Sequence, residues 1–278
     1  IGVSLPTATH ALNELIKGGL VKEIGKKDNS PGRIPMVYDL MPNAGYFVGV
    51  NPEMDCLAFA ASDFCGNLIT KKIKVPYVYR NTPENLERLG EIINEFIAGL
   101  PISKEEILQV CVNVAERVNP FEGKAYNMFT FLENPLAEKL TELIQLPVCI
   151  ENDTRSMAFA EFIKGCCKGM KDVIFVNMCW GLGIGIIIDG KLYYGKSGYS
   201  GEFGHMTAYN NNIICHCGKI GCIETEVSGR ALKRRLTENI MAGKPSILSD
   251  KVLNRKEELS LQDIMDAIAK EDVLSLAT

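Results

Sequence analysis

From His205 to Glu224 the chain reads HMTAYNNNIICHCGKIGCIE, and His205, Cys215, Cys217 and Cys222 follow the spacing H-x9-C-x-C-x4-C. Three thiols and an imidazole are the donors of a closed tetrahedral zinc site. Gly218 and Gly221 supply the backbone freedom to fold the thiolates round one point. Unligated thiols in a reduced loop are the plainer alternative. A structural Zn2+ in this loop, 205–222, would order a segment with little core of its own, since zinc peptides gain about 10–16 kcal/mol of apparent binding energy. His216, inside the C-x-C turn, is expected to point away from the site.

Two carboxylates flank the loop. Glu202 precedes His205 by three positions and Glu224 follows Cys222 by two, so a metal that fixed the loop would fix both. Carboxylates accept paired hydrogen bonds from vicinal hydroxyls, which is how a sugar is held; the alternative is a pair of solvated surface charges. In PVCIENDTRSMAFAEF, Asn152 and Asp153 follow a strand-like run and open a helix. Residues there act as helix caps or, at a strand end in a cleft, as a general base toward a substrate hydroxyl.

The elements that must position these groups form an α/β chain. YFVGV, CLAFAASD and LITKKIKV read as strands, and TPENLERLGEIINEFIAGL as a helix opened by Thr82 and Pro83. ILQVCVNV, a helix from about Pro135 to Gln145, PVCI, and a helix from Asn152 to about Lys164 complete one lobe, 45–166. A second lobe, 167–278, opens with DVIFVNMC, LGIGIIIDG and KLYYG, repeating the order of strands joined by tight turns. Two related lobes predict a ligand cleft between them. Residues 1–41 have a different texture: an amphipathic helix capped by Ser4 and ended by Gly18 and Gly19, then a hairpin with Lys26, Lys27 and Arg33 at its tip. That order is a partial winged helix-turn-helix, or a helix and hairpin that merely begin a larger domain. Ile1 opens the sequence within this motif, so the chain is expected to be a piece of a longer one.

Composition narrows the functions. Over 278 residues, 46% hydrophobic and 23% charged is globular, and the apolar runs are glycine-broken, which fits strands better than a membrane span or a signal peptide and predicts a cytoplasmic protein. A net charge of -4 confines any DNA contact to a local patch. Cys56, Cys111, Cys149 and Cys179 lie singly in apolar runs, as buried reduced thiols do, and Cys166 and Cys167 read as packing residues at a helix end.

ENDTRSMAFAE, WGLGIGIIIDGKLYYGKSGYSGEFGHM and CHCGKIGCIETEVSG together resemble the ROK family of repressors and sugar kinases, from about Leu5 to Leu261. The resemblance implies a duplicated actin-like (ribonuclease-H-like) fold and metal ligation by His205, Cys215, Cys217 and Cys222. It further implies sugar binding by Asn127, Asn152, Asp153, Glu202, His205 and Glu224, with Asp153 at the base position of the kinase members. The second lobe would then be incomplete at its C-terminus.

Two functions follow from the resemblance. A kinase needs amides and a metal-holding carboxylate round the nucleotide phosphates. Kinase members place an Asp and a Gly-Gly-Thr turn after the first strand, where this chain has Asn51, Pro52 and Glu53. A phosphate-loop remnant survives as Gly181, Gly183 and Gly185, with Leu182 in place of a hydroxyl residue, and Ala115 and Glu116 replace a Pro-Gly turn. The first forty residues resemble the recognition helix and wing of the N-acetylglucosamine and xylose repressor branch. There Thr7, Thr9, His10 and Asn13 would face a groove and Arg33 would reach phosphate or the minor groove. The expectation is a sugar-responsive transcriptional regulator, a repressor of carbohydrate metabolism, without enzyme activity. It would bind operator DNA and a sugar or sugar phosphate, as a homodimer or homotetramer. The alternative is an ATP-dependent, glucokinase-like hexose kinase.

Overall fold

The computed structural model describes residues 2–26 and 36–278. Its contacts divide the chain into two compact units, Ile1–Asp153 and Thr154–Thr278.

The first unit opens with α1 (Leu5–Lys17). The Ser4 hydroxyl accepts the Thr7 amide, a proline sits in the first turn, and Gly18 closes the helix. No residue of α1 is buried. β1 (Val21–Lys26) then pairs antiparallel with β2 (Met36–Leu40), with a register shift at Gly25, whose φ of +114° favours glycine. Lys27, Arg33 and the Lys26 side chain lie outside the described residues.

Next come β3 (Tyr46–Pro52), β4 (Cys56–Asp63), β5 (Leu68–Pro76), α2 (Pro83–Ala98), β6 (Ile107–Val114), the short hairpin β7 (Val118–Asn119) and β8 (Lys124–Ala125), α3 (Leu136–Ile144) and β9 (Val148–Asn152). The sheet order is β5-β4-β3-β6-β9, antiparallel among the first three strands and parallel from β3 to β6 to β9. Alternate residues Val48, Val50, Phe59, Val110, Val112 and Ile150 join one core with Leu89 and Ile93 of α2 and Leu140 and Ile144 of α3. Each such side chain contributes roughly 1.5–3 kcal/mol of transfer energy, enough in sum to hold the strand ends in register. Thr82 caps α2 as its sequence predicts, accepting the Asn85 amide.

The second unit contains α4, which begins at the junction (Asp153–Ile163), then β10 (Val173–Met178), β11 (Leu182–Ile188), β12 (Lys191–Leu192), α5 (Gly229–Met241), α6 (Leu261–Ala269) and α7 (Val273–Ala277). β10, β11 and β12 form an antiparallel meander, repeating the connectivity of β3, β4 and β5. KLYYG, expected as a strand, pairs only over Lys191–Leu192. Beyond Leu192, the Tyr193 amide still reaches the Ile186 carbonyl, but Gly195, at φ +68°, turns the chain out of the sheet. No helix among the described residues is long and apolar enough to cross a membrane.

A separate core of Leu236, Ile240, Val252, Leu259, Ile264 and Leu274 joins α5, α6 and α7. It is tied by a capping box at α6, where Ser260 and Asp263 exchange hydrogen bonds and Lys251 Nζ lies 2.7 Å from Asp263. Lys251 first, and Ser260 next, hold the Asp263 carboxyl at about 2. Because the folded value is depressed, its stabilisation is complete above the ordinary value of about 3.9 and disappears as pH falls through about 2. Asp263→Ala should therefore cost about 1–2 kcal/mol at neutral pH and much less near pH 2, as read from paired urea melts.

Candidate functional site

The metal-type cluster is built from turns rather than regular elements. A 3-10 turn, Phe203–His205, presents His205, and Cys215, Cys217 and Cys222 come from the loop that follows. Cys215 N donates to the Lys219 carbonyl at 2.8 Å and Gly218 N to the Cys215 carbonyl at 2.9 Å, which closes a tight turn round Cys217. Gly221 takes φ +76°, and a Cβ there would lie 2.0 Å from the Tyr209 carbonyl oxygen, so this position requires glycine.

The donor atoms of His205, Cys215, Cys217 and Cys222 all lie within 4.8 Å of one another. Cys217 and Cys222 sulfurs are 3.7 Å apart, and Cys215 Sγ is 3.5 Å from His205 Nδ1. A tetrahedral ion with bonds of about 2.3 Å to sulfur and 2.0–2.1 Å to nitrogen spaces its ligands by about 3.5–3.8 Å, so the residues present fit such an ion. Burial pushes the Cys215 thiol up to about 12. At Cys217, burial is outweighed by the Lys219 amide and the neighbouring thiols, which hold it below its ordinary value. Three adjacent thiolates need a cation to coexist, and a soft divalent metal would supply it.

With Nδ1 facing the thiols, His205 turns Nε2 toward Glu202, whose carboxylate is 3.7 Å away. A carboxylate opposite the free nitrogen of a metal-binding imidazole fixes its tautomer. Glu224 is 6% exposed, which decides against a solvated surface charge. Its Oε2 accepts the Leu182 amide at 2.9 Å, and its Oε1 lies 2.8 Å from His216 Nδ1 and 3.6 Å from Arg230. Burial favours the neutral acid, but the hydrogen bonds from His216 and the Leu182 amide prevail and hold the carboxyl below the usual range. Each oxygen keeps a further lone pair for a hydroxyl donor.

His216 therefore does not point away. It turns back to brace Glu224, because the tight turn at Cys217 folds its ring inward, 4.9 Å from the His205 ring. Arg230 was equally hidden to sequence reading, since only the fold brings the start of α5 to the loop. An Arg one residue past a Ser-Gly helix start was its sole signal.

Within the first unit, Asn152 ends β9 and donates to the Glu116 carbonyl at 3.2 Å. Asp153 begins α4, and Asn127 is half-buried in the segment after β8. At the end of β3, Asn51 Oδ1 accepts from Asn113 at 3.0 Å, Pro52 has no amide hydrogen, and the Glu53 amide is taken by the Cys56 carbonyl at 2.8 Å. Neither Pro52 nor Glu53 offers an amide to a phosphate.

The glycines of GLGIG have packing roles. A Cβ on Gly181 would lie 2.7 Å from Glu224, one on Gly183 2.6 Å from Thr154 Oγ1, and one on Gly185 2.3 Å from the Ala158 Cβ. Gly183 and Gly185 sit on β11 and let it approach α4 closely. Among the single cysteines, Cys56 is buried and Cys111 and Cys149 are half-buried, but Cys179 is exposed. It lies in the β10 to β11 turn, where its amide and carbonyl bond to Gly181 and Gly229 instead of continuing the strand. Cys166 is also exposed rather than packed.

Residues 57–277 match the model of the ROK family. The chain belongs to the ROK family. It is 29% identical over 277 residues to the xylose repressor of Bacillus subtilis strain 168, a match covering 99% of this chain and 67% of that protein. It is 34% identical over 192 residues to the glucokinase of Streptomyces coelicolor, covering 68% of this chain and 58% of that one. The crystal structure of a ROK family transcriptional regulator, homologous to the E. coli MLC protein, superimposes with a TM-score of 0.75 at 26% identity, over 99% of this chain and 69% of that one. The chain thus spans about two thirds of the length of these regulators. The ROK match begins at residue 57, whereas both regulator matches also take in α1 and the β1–β2 hairpin.

Proposed function

We propose that this ROK chain is the larger part of a sugar-responsive transcriptional repressor. One observation carries the reading: similarity to the xylose repressor runs through the N-terminal helix and hairpin, while the more identical glucokinase match covers 192 residues. In this reading α1 is a recognition helix, with Thr7, Thr9, His10 and Asn13 toward a DNA groove, and the hairpin with Lys26, Lys27 and Arg33 is its wing. The sugar is held by Asn127, Asn152, Asp153, Glu202, His205 and Glu224, and the ion bound by His205, Cys215, Cys217 and Cys222 is a structural zinc. Its role is to hold the loop that the carboxylates Glu202 and Glu224 flank.

The end of β3 supports binding without phosphoryl transfer. Pro52 cannot donate to a phosphate, Glu53 would repel one, and the glycines of GLGIG serve close packing. Asp153 keeps its place at the start of α4 as a sugar ligand.

The intact protein should select a two-fold-symmetric operator from a pool of random duplexes and bind it as a dimer, since one short helix makes too few contacts for high specificity. Arg33→Ala should weaken that binding and flatten its salt dependence, as loss of one phosphate contact does, without altering sugar affinity. With ATP, magnesium and a sugar that binds, a coupled assay should show no turnover above background. Turnover abolished by Asp153→Asn, together with no selected operator, would establish the kinase reading instead.

A further inference from the structure

Arg155 stands two residues after Asp153 in the first turn of α4 and, at 1% exposure, is the bulkiest fully buried side chain among the described residues. Burying a guanidinium is costly unless its donors are met. One terminal nitrogen donates to the Gly198 carbonyl at 2.8 Å, and the guanidinium carbon lies 5.4 Å from the centre of the Tyr194 ring. Both partners belong to the stretch 193–201, which leaves the sheet after β12.

That stretch needs a clamp. Gly195, Gly198 and Gly201 all take positive φ, so it has much conformational entropy to lose on ordering. Its far end is pinned to β11: the Ile184 amide donates to the Gly201 carbonyl at 3.1 Å, and a Cβ on Gly201 would lie within 1.9 Å of the Ile184 carbonyl oxygen. Between the sheet and that pin, the Ser200 amide bonds back to the Tyr194 carbonyl, and Arg155 holds the turn at Gly198. The next residue after the pin is Glu202, whose carboxylate faces His205.

We propose that Arg155 is a positioning residue for effector recognition: by clamping 193–201 from α4 it sets the place of Glu202. The inference rests on the reading of Glu202 as a sugar ligand. A planar guanidinium can donate in its plane while lying over an aromatic ring, whereas a lysine ammonium, a compact point charge, lacks that planar fork. Sugar affinity is therefore coupled to the order of a loop that need not touch the sugar.

The test uses the intact, zinc-loaded protein and four variants: Arg155→Gln, Arg155→Lys, Glu202→Gln and the Arg155→Gln/Glu202→Gln double. D-xylose and D-glucose are the calorimetric probes, and hydrogen exchange is followed at 193–201. Arg155→Gln should speed exchange in that stretch about tenfold or more and weaken sugar binding about tenfold, with zinc content unchanged. Arg155→Lys should fall between it and wild type. The double variant should bind sugar no more weakly than Glu202→Gln alone, because Arg155 acts through Glu202. Unchanged exchange at 193–201, or additive losses in the double variant, would overturn the proposal. If neither sugar binds the wild type, the reading of Glu202 fails, while the exchange measurement still decides whether Arg155 holds the loop.

Discussion

Cys217→Ser should remove the bound metal altogether. Wild-type protein purified without added metal is expected to carry a single zinc per chain by elemental analysis, and the variant essentially none. A serine hydroxyl is not deprotonated near neutral pH and is a poor ligand for a soft cation, so three donors remain where four closed the shell. The consequence reaches beyond the ion. The protein's own contacts hold the loop 205–222 by short turns and isolated bridges such as Thr207 to Cys222 and Ile214 to Ile220. Metal binding of about 10–16 kcal/mol in small peptides far exceeds what a few such turn hydrogen bonds supply, at about 1 kcal/mol each. The variant should therefore lose protection from proteolysis between residues 205 and 224 and melt at a lower temperature, while Cys179→Ser, at an exposed thiol outside the cluster, should retain full zinc. Full zinc in the Cys217→Ser protein would refute the ligand set.

Glu224→Gln should abolish the response to sugar while leaving operator binding without sugar nearly intact. The replacement preserves shape, and its amide oxygen can still accept the Leu182 N–H, so β11 and the loop stay joined. What it loses is the charge. Hydrogen bonds from hydroxyls to a carboxylate are about twice as strong as those to a neutral amide, and breaking a buried charged contact costs about 2–5 kcal/mol, or roughly thirtyfold to several-thousandfold in affinity. A sugar can shift a regulator only by its differential affinity for the two states, so a loss of that size removes the switch at ordinary sugar concentrations. Gel-shift titrations at fixed ionic strength, with and without D-xylose, provide the measurement. A full sugar response from Glu224→Gln would place the effector elsewhere. Zinc content serves as the control, because Glu224 Oε1 lies 4.0 Å from Cys215 Sγ and a disturbed loop would show there first.

The first prediction begins from groups whose meaning is local. H-x9-C-x-C-x4-C names its own chemistry because the donors are neighbours in the chain and the glycines between them permit one tight fold. Ser4 and Thr82 announced α1 and α2 for the same reason: a cap satisfies amides two or three residues away. Short apolar runs bounded by turn residues revealed β3, β4, β6 and β10 as strands, since such a run and its ends are local features of the chain.

What escaped the sequence joins distant residues. Glu224 meets the Leu182 amide across 42 positions, and Arg155 meets Gly198 across 43. No periodicity reports such pairs. A charged residue three before Ala158, on the buried face of α4, was the one sign that Arg155 had an inward task. The glycines of GLGIG show the same limit from the other side. As sequence they resemble a phosphate loop; in the fold, Gly183 and Gly185 lie beneath Thr154 and Ala158, where any Cβ would collide. Local residue types thus determined the elements and the four residues of the metal-type cluster by themselves. Tertiary packing alone decided which carboxylate is buried, which imidazole braces it and which glycines make room, because burial and close approach belong to surfaces that exist only once the chain has folded.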